Sequence, residues 1–393
     1  MNNKTINGFS KLSKKEKINW LSQTFLKDKP EAEHLLSLYW HQDSARQQRH
    51  DEFIENALSN FYLPFAVAPN FKIDDRIFAI PMVIEESSVV AAASNAAKFW
   101  LDRGGFKSEI ISTVKSGQIH LNYSGAPSHL MRFFTQTKQA LIRSVDMLSA
   151  GMKKRGGGLI DLDLIDESEA LNGYCYIHAR FETADAMGAN YINSCLETIA
   201  ATFGAFAETY EGFGPGQQPE VVMSILSNYV PECLVRVWVQ CPVSELAQEG
   251  LSGKEFADKF IRAVAIAQTN PLRAVTHNKG IMNGVDAVVL ATGNDFRAVE
   301  AAVHAYACKD GQYRSLSKAK IQNDMFEFSI ELPLALGTVG GLTKLHPIVG
   351  VALAILEEPT AVELMKIVAT AGLAQNFAAV RSLVTTGIQK GHM

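Results

Sequence analysis

Apolar and polar positions change rhythm several times along this chain. Residues 10–60 place apolar side chains at helical spacing, in FSKLSKKEKINWLSQTF and, after a break at Pro30, in EAEHLLSLYW. Residues 61–84 change to strand spacing and end in IFAIPMVI. A run of small residues, SSVVAAASNAAKFW, follows Glu85 and Glu86. Its Ala/Ser face predicts a helix that packs closely and is buried.

Residues 111–228 keep a rhythm of their own. QIHLNYS reads as a strand, 128–148 as a helix, and GLIDLDLID and GYCYIHARF as two strands. A long helix follows DAMGAN, then the strand VVMSILS. The order β-α-β-β-α-β is that of a ferredoxin-like unit. After it come the strand CLVRVWVQCPV and helical residues 244–270. DAVVLAT then reads as a buried strand between two polar turns. Next are the helix AVEAAVHAYACKD, a polar connection GQYRSLSKAKIQND, and the strand FEFSIELPLAL. A glycine turn GTVGG, the helix HPIVGVALAILEE and a last helix with a break expected at Gly372 complete the series. The fold class is therefore α/β (α+β). A large mixed helix/strand domain, 1–110 and 229–375, carries an inserted ferredoxin-like (βαββαβ) domain, 111–228.

Composition narrows the function. The chain has 393 residues, 47% of them hydrophobic, enough for a sizeable core and roughly two or three domains. A net charge of −4 argues against a nucleic-acid surface, which needs a basic excess. The five cysteines form no CxxC pair, so neither a zinc site nor a disulfide framework is expected, and free thiols fit a reducing cytoplasm. The polar N-terminus has no signal-peptide pattern, and no apolar run is expected to span a membrane. HxxxH, HxH and HExxH are absent, so no metal site is expected.

Chemistry-bearing residues gather at the polar punctuation. RAVTHNKGIMNG sets Arg273, His277, Asn278, Lys279 and Asn283 before DAVVLAT, and GND sets Asn294 and Asp295 after it. A positioned cation can hold an oxyanion, and a nearby acid can tune a proton. Asp295 or Asn294 also reads as a plain helix cap. Glu85 and Glu86 sit at a strand-to-helix junction, where a carboxylate can simply favour the helix dipole or, beside an apolar strand, acquire a raised pKa. Ser88 is either a cap or a ligand hydroxyl. DAMGAN brings backbone amides close to a ligand at a helix start, with Asp185 as a helix cap in the plainer reading. RGGGL, behind Lys153, Lys154 and Arg155, offers a basic turn for a cofactor phosphate. A GxGxxG after the first strand is absent, so an ordinary Rossmann domain is not supported. His392, next to last, reads as a solvent-exposed terminal residue.

Taken together, ENALSN, PMVIEESSVVAAAS, DAMGAN, THNKGIMNG, ATGND, GTVGGLT and QNFAAVRSLVTTGIQKGHM resemble the 3-hydroxy-3-methylglutaryl-CoA (HMG-CoA) reductases of class II, the bacterial and archaeal type. The resemblance runs from about residue 50 to the end, in family order. It implies reduction of HMG-CoA to mevalonate and CoA by two hydrides, or the reverse, in the mevalonate pathway. Glu86, Lys279, Asp295 and His392 match the family's catalytic residues. Lys279 would hold the carbonyl oxygen, Asp295 would couple to it and to Glu86, and His392 would protonate the departing thiolate. Ser88, Arg273 and Asn283 match substrate contacts, and Glu55 and Asn56 match the segment lining the CoA side. Asp185, Met187, Gly188 and Asn190 match the nicotinamide-nucleotide motif, which makes the insert the NAD(P)-binding domain. A glutamic acid kept neutral by burial at Glu86 could supply the second proton.

The resemblance also implies a homodimer or assembly of dimers, while charge, cysteines and motifs lead to the expectation of a cytoplasmic protein with no nucleic acid, membrane or metal partner. The cations before RGGG favour NADPH, whose 2′-phosphate needs positive charge; NADH stays open because of Asp146 upstream. Two departures stand out. Ser87 replaces the family's usual proline, and Leu342 a small residue after GTVGG. Residues 376–393 match the start of a C-terminal flap, which the family continues for some tens of residues past GHM. Two alternatives remain. One is a non-catalytic CoA-binding or regulatory homologue; the other is an oxidoreductase for another carboxylate-bearing acyl-CoA.

Overall fold

A computed structural model describes residues 4–248, 250–341 and 345–385. Its contacts divide the chain into one unit ending at Pro64 and another beginning at Phe65. The first unit is helical, with α1 (Lys14–Thr24), α2 (Ala32–Leu38) and α3 (Ser44–Asp51). Local chemistry starts these short helices. Ser13 and Glu16 form a reciprocal capping box on α1, and Asp43 accepts from the amides of Ala45 and Arg46 on α3.

The second unit opens with an antiparallel hairpin, β1 (Phe65–Ile73) and β2 (Arg76–Val83). Its turn residues Asp74 and Asp75 both take positive φ (46° and 68°), a conformation aspartate tolerates better than most residues. Helix α4 (Val89–Leu101) lies against the hairpin and buries Val89, Ala93, Ala96, Ala97 and Trp100. Strand β3 (Lys107–Ile110) leads to β4 (Lys115–Asn122), α5 (Pro127–Ser144), α6 (Asp146–Lys153), β5 (Gly158–Asp166), β6 (Tyr174–Glu182), α7 (Ala189–Thr209) and β7 (Glu220–Leu226). These last four strands form an antiparallel sheet in the order β5-β6-β4-β7, the ferredoxin-like arrangement. Phe133, Phe181 and Phe203 fill the core between this sheet and its helices.

Strand β8 (Leu234–Pro242) returns the chain to the larger core. Then come α8 (Gly253–Thr269), α9 (Pro271–Ala291), α10 (Phe296–Tyr306), β9 (Ser317–Gln322), β10 (Met325–Pro333), α11 (Pro347–Ile355) and α12 (Ala361–Val384). The second antiparallel sheet runs β3-β8-β10-β9. Trp100, Phe260, Phe326, Phe328 and Phe377 pack ring against ring in this core.

Four sequence expectations need correction here. DAVVLAT is not a strand: it closes the 21-residue helix α9, which also carries Arg273, Lys279 and Asn283. After Asp286 the run Ala287–Ala291 is apolar throughout because α9 is buried among α8, α10, α12 and the hairpin, and such a run has no period to distinguish strand from helix. The expected polar connection contains edge strand β9, whose residues pair with Met325–Ile330. Helix α12 passes through Gly372 unbroken. A Cβ at Gly372 would stand 2.8 Å from a methyl of Val285, and one at Gly284 only 2.4 Å from the carbonyl oxygen of Ala371. Both glycines therefore let α9 and α12 approach backbone to backbone.

Finally, α12 is long and apolar enough to cross a membrane, against the expectation that no segment would be. However, 67% of its most apolar window is buried inside the protein, as befits a core helix. Residues 376–384, expected to begin a flap, are its last turns, with Phe377 and Val380 fully buried.

Candidate active site

Three elements meet around a cavity of about 890 Å³: the β2–α4 turn with α4, one side of α9, and the end of α12. Helix α9 starts where Asn270 caps it, accepting from the amide of Arg273, with Pro271 in the first turn. From there Arg273, Thr276, Lys279, Gly280 and Asn283 recur three or four residues apart, so they share one side of the helix and all line the cavity. Glu86 and Ser88 line it from the turn. Ser88 adopts φ 75° at the N-cap of α4 without capping it by its side chain, so the plain cap reading of this hydroxyl fails. The left-handed conformation costs a non-glycine residue roughly 1–3 kcal/mol.

Charge in the cavity is positive on the α9 side. Burial lowers the pKa of Arg273, since desolvation disfavours the charged form. Arg381, from α12, donates to Asn95 at 3.3 Å and lies over the ring of Phe99. Gln375 and Asn376 are buried among apolar neighbours of α12, yet both face the cavity, and their Oε1 and Oδ1 accept no hydrogen bond from the protein. A buried acceptor without a donor is costly unless a ligand or water satisfies it. The sequence did carry a signal for them, a polar pair within AGLAQNFAAV, as it did for Asn95 inside the small-residue helix.

Other polar residues of α9 have structural work. His277 is buried, with Nε2 2.6 Å from Ser317 Oγ, and desolvation takes its pKa down to about 3, so the ring is neutral. Asn278 accepts from the amide of Leu316 at 3.0 Å and donates to the carbonyl of Arg314 at 2.8 Å. Together they pin α9 to the edge strand that sequence reading missed.

Asp295 is absent from the cavity wall. It caps α10, accepting from the amides of Arg297 and Ala298, and forms a two-point ion pair with Arg297 (3.0 and 2.9 Å). The Arg297 bond, then the backbone donors, hold its pKa below the usual carboxylate range. About 18 Å of helix separates Lys279 from the end of α9, so spacing along the chain does not bring the two together. Glu86 is exposed, which corrects the expectation of a buried carboxyl at this position. Glu55 and Asn56 belong to the first unit, in the turn after α3, with Asn56 at φ 60°. His392 and Leu342 lie outside the described residues.

The glycine motifs converge elsewhere. Asn294 accepts from the amide of Gly337 at 2.8 Å, and the amide of Thr338 donates to the carbonyl of Asp185 at 2.9 Å. A Cβ at Gly337 would meet the Met187 nitrogen at 2.4 Å, so only glycine fits against the DAMGAN loop. Asp185 does not cap α7, as the plainer reading had it; its Oδ1 accepts from the amide of Ala361 at 2.8 Å, the first amide of α12, which Thr360 caps. Helix α7 instead begins at Gly188, with φ 96° and no side-chain cap, followed by Asn190 in its first turn. Asp185 also lines a smaller cavity of about 400 Å³ together with Arg155 and Gly156. Lys153 is paired with Asp146 at 2.6 Å, while Lys154 ends α6 beside it.

The sequence profile of the family described as hydroxymethylglutaryl-coenzyme A reductase matches residues 13–393. A 3-hydroxy-3-methylglutaryl-coenzyme A reductase of Archaeoglobus fulgidus is 36% identical over 389 residues, 99% of this chain and 84% of that protein. A probable one of Borreliella burgdorferi is 33% identical, covering 100% of this chain and 87% of its own length. Among solved structures, the class II enzyme of Streptococcus pneumoniae bound to NADPH in open conformations superposes with a TM-score of 0.80. It is 33% identical and spans 97% of this chain and 100% of its own.

Proposed function

The chain belongs to the hydroxymethylglutaryl-coenzyme A reductase family, and from that premise we propose how its residues divide the reaction. The activity is the NADPH-dependent reduction of HMG-CoA, the mevalonate-forming step. NADPH would supply one hydride to each of the two reductions, so two molecules are consumed in turn. Our assignment rests chiefly on one observation: Arg273, Lys279, Asn283, Ser88 and Glu86 line a single cavity.

In that assignment Arg273 clamps the distal carboxylate of the acyl group, which a guanidinium can grip at two points. Lys279 holds the thioester oxygen, where negative charge grows as the carbonyl is reduced. Ser88 and Asn283 hydrogen-bond the acyl hydroxyl and carbonyl groups. The first reduction gives a thiohemiacetal, which breaks its C–S bond to leave an aldehyde and CoA thiolate. The thiolate takes a proton, the role we assign to His392. Glu86 gives the proton that the aldehyde oxygen needs in the second reduction. Glu86 is exposed on the single chain, and in this reading substrate and a neighbouring subunit enclose it. Leu272, 84% exposed, and Val275 stand beside Arg273 and Thr276, which supports a homodimer closing this mouth.

The ferredoxin-like unit is our choice for the nucleotide. Uncapped amides at the start of α7 suit a pyrophosphate, and Gly188, Met187, Asp185 and Asn190 form the loop around it. Lys154 and Arg155 suit the 2′-phosphate. Asp146 is tied to Lys153, which lessens its availability to the ribose hydroxyl that NADH would offer. A cytoplasmic location completes the reading.

The test is NADPH consumption, followed by its absorbance, with HMG-CoA and with acyl-CoAs lacking the distal carboxylate. Two NADPH per HMG-CoA and no turnover of the other thioesters are expected. Lys279→Ala should lose at least about 100-fold in kcat, as the loss of one oxyanion donor does elsewhere. Turnover near wild type in that variant would remove the lysine from the mechanism.

A further inference from the structure

The side of α9 that lines the cavity does not end at Asn283. Three residues on, and so on the same side, stands Asp286, part-buried, with Oδ1 lacking a partner. Its carboxyl is hydrogen-bonded to Glu300 of α10. Glu300 Oε2 is 2.7 Å from Nε2 of His304, one helical turn further along α10, and Nδ1 of that ring is 2.7 Å from the hydroxyl of Tyr313. Tyr313 in turn interacts with Asn278, back on α9. A closed polar ring thus joins the two helices at the inner end of the catalytic stripe. Two carboxyl groups in hydrogen-bond contact cannot both ionise without repulsion, so the pair retains one proton.

We infer that Asp286 and Glu300 act as one positioning unit for the reductase site. A proton shared between them fastens α9, which carries Arg273, Lys279 and Asn283, to α10, whose first turn Asp295 caps. The inference rests on the reading of α9 as the substrate-binding helix. The groups facing the pair agree with it. Burial and the Glu300 charge push the pKa of Asp286 up to about 8, while His304 holds Glu300 below its ordinary value. The proton therefore resides on Asp286, and Glu300 is the anion between it and His304. Above pH 8 the proton leaves, the carboxylates repel, and α9, with Lys279 and Asn283 on it, loses its bond to α10. Neither residue touches the cavity, so both act through the helices they join.

The experiment uses the full chain with Asp286→Asn, Asp286→Ala and Glu300→Gln. Two quantities are followed from pH 5 to 9: unfolding in denaturant, and kcat and KM for HMG-CoA. A native state that binds one more proton than the unfolded chain loses up to about tenfold in its folding constant per pH unit. Wild type should show that loss between pH 6.5 and 8, and Asp286→Asn, which keeps a donor but cannot ionise, should not. Asp286→Ala should lower kcat about five- to tenfold, the equivalent of one lost hydrogen bond, with KM nearly unchanged. Asp286→Asn should restore most of it. Glu300→Gln removes the neighbouring charge and should move the wild-type loss to lower pH. Identical pH dependence in wild type, Asp286→Asn and Glu300→Gln would overturn the shared proton. A kcat for Asp286→Ala equal to wild type would overturn the positioning role. The unfolding arm needs no turnover, so it separates failure of this inference from failure of the reductase reading.

Discussion

At the scale of single residues, function and framework divide the same helix. Arg273, Lys279 and Asn283 face a cavity; His277 also borders it but is buried and tied to Ser317, and Asn278 is buried against the 314–316 segment. Sequence reading found all five as one polar cluster and could not sort them, because sorting needs the helical phase. Arg273 offers the sharpest check. Arg273→Lys keeps the charge but loses the planar fork that matches a carboxylate. It should raise KM for HMG-CoA by roughly tenfold or more, the worth of a charged hydrogen bond, and kcat should change less. Steady-state kinetics decide this: an unchanged KM would separate Arg273 from the carboxylate.

Among elements, the readable parts were those with a period or a cap. Strand β6 alternates cleanly, β5 and β6 were both placed within a residue or two, and Glu85–Glu86 correctly marked the junction before α4. Where burial erased the period, in DAVVLAT, a helix passed for a strand even though Asn270-Pro271 announced its start. Where polarity ran high, in SKAKIQ, an edge strand passed for a loop; its lysines suit an edge that should not pair further. Gly372 read as a break, yet it is the place where α12 touches α9. The contact predicts that Gly284→Ala, whose Cβ would overlap the Ala371 carbonyl, destabilises the fold despite better helix propensity. A loss of about 1–3 kcal/mol in denaturant unfolding is expected. A gain would mean that the helices separate freely there.

For the molecule as a whole, two buried groups on α9 oppose each other in pH. His277, neutral until about pH 3, binds no proton where the unfolded chain's histidine does, so its contribution is lost as pH falls from about 6.5 toward 3. Asp286, protonated until about pH 8, acts with the opposite sign: stability falls as pH rises from about 4 to 8. The two offset each other between pH 4 and 6.5, and Asp286 acts alone above. Thermal midpoints should therefore vary little from pH 5 to 6.5 and drop from 6.5 to 8. A midpoint rising through that upper window would contradict the assignment.

The carboxylate of Asp185 joins places that the chain keeps far apart. It belongs to the loop proposed for the nucleotide, yet it holds the first amide, at Ala361, of the helix that 14 and 15 residues later presents Gln375 and Asn376 to the acyl cavity. A rigid helix held at one end and read at the other is a means of communication. Cofactor and thioester should each tighten the other's binding, by one and the same factor, since linkage is reciprocal. Titrations of NADPH with and without HMG-CoA, and the converse, would measure that factor, and Asp185→Asn should bring it toward unity. The enzyme would then commit both reactants together, with the order of their arrival made immaterial by thermodynamics.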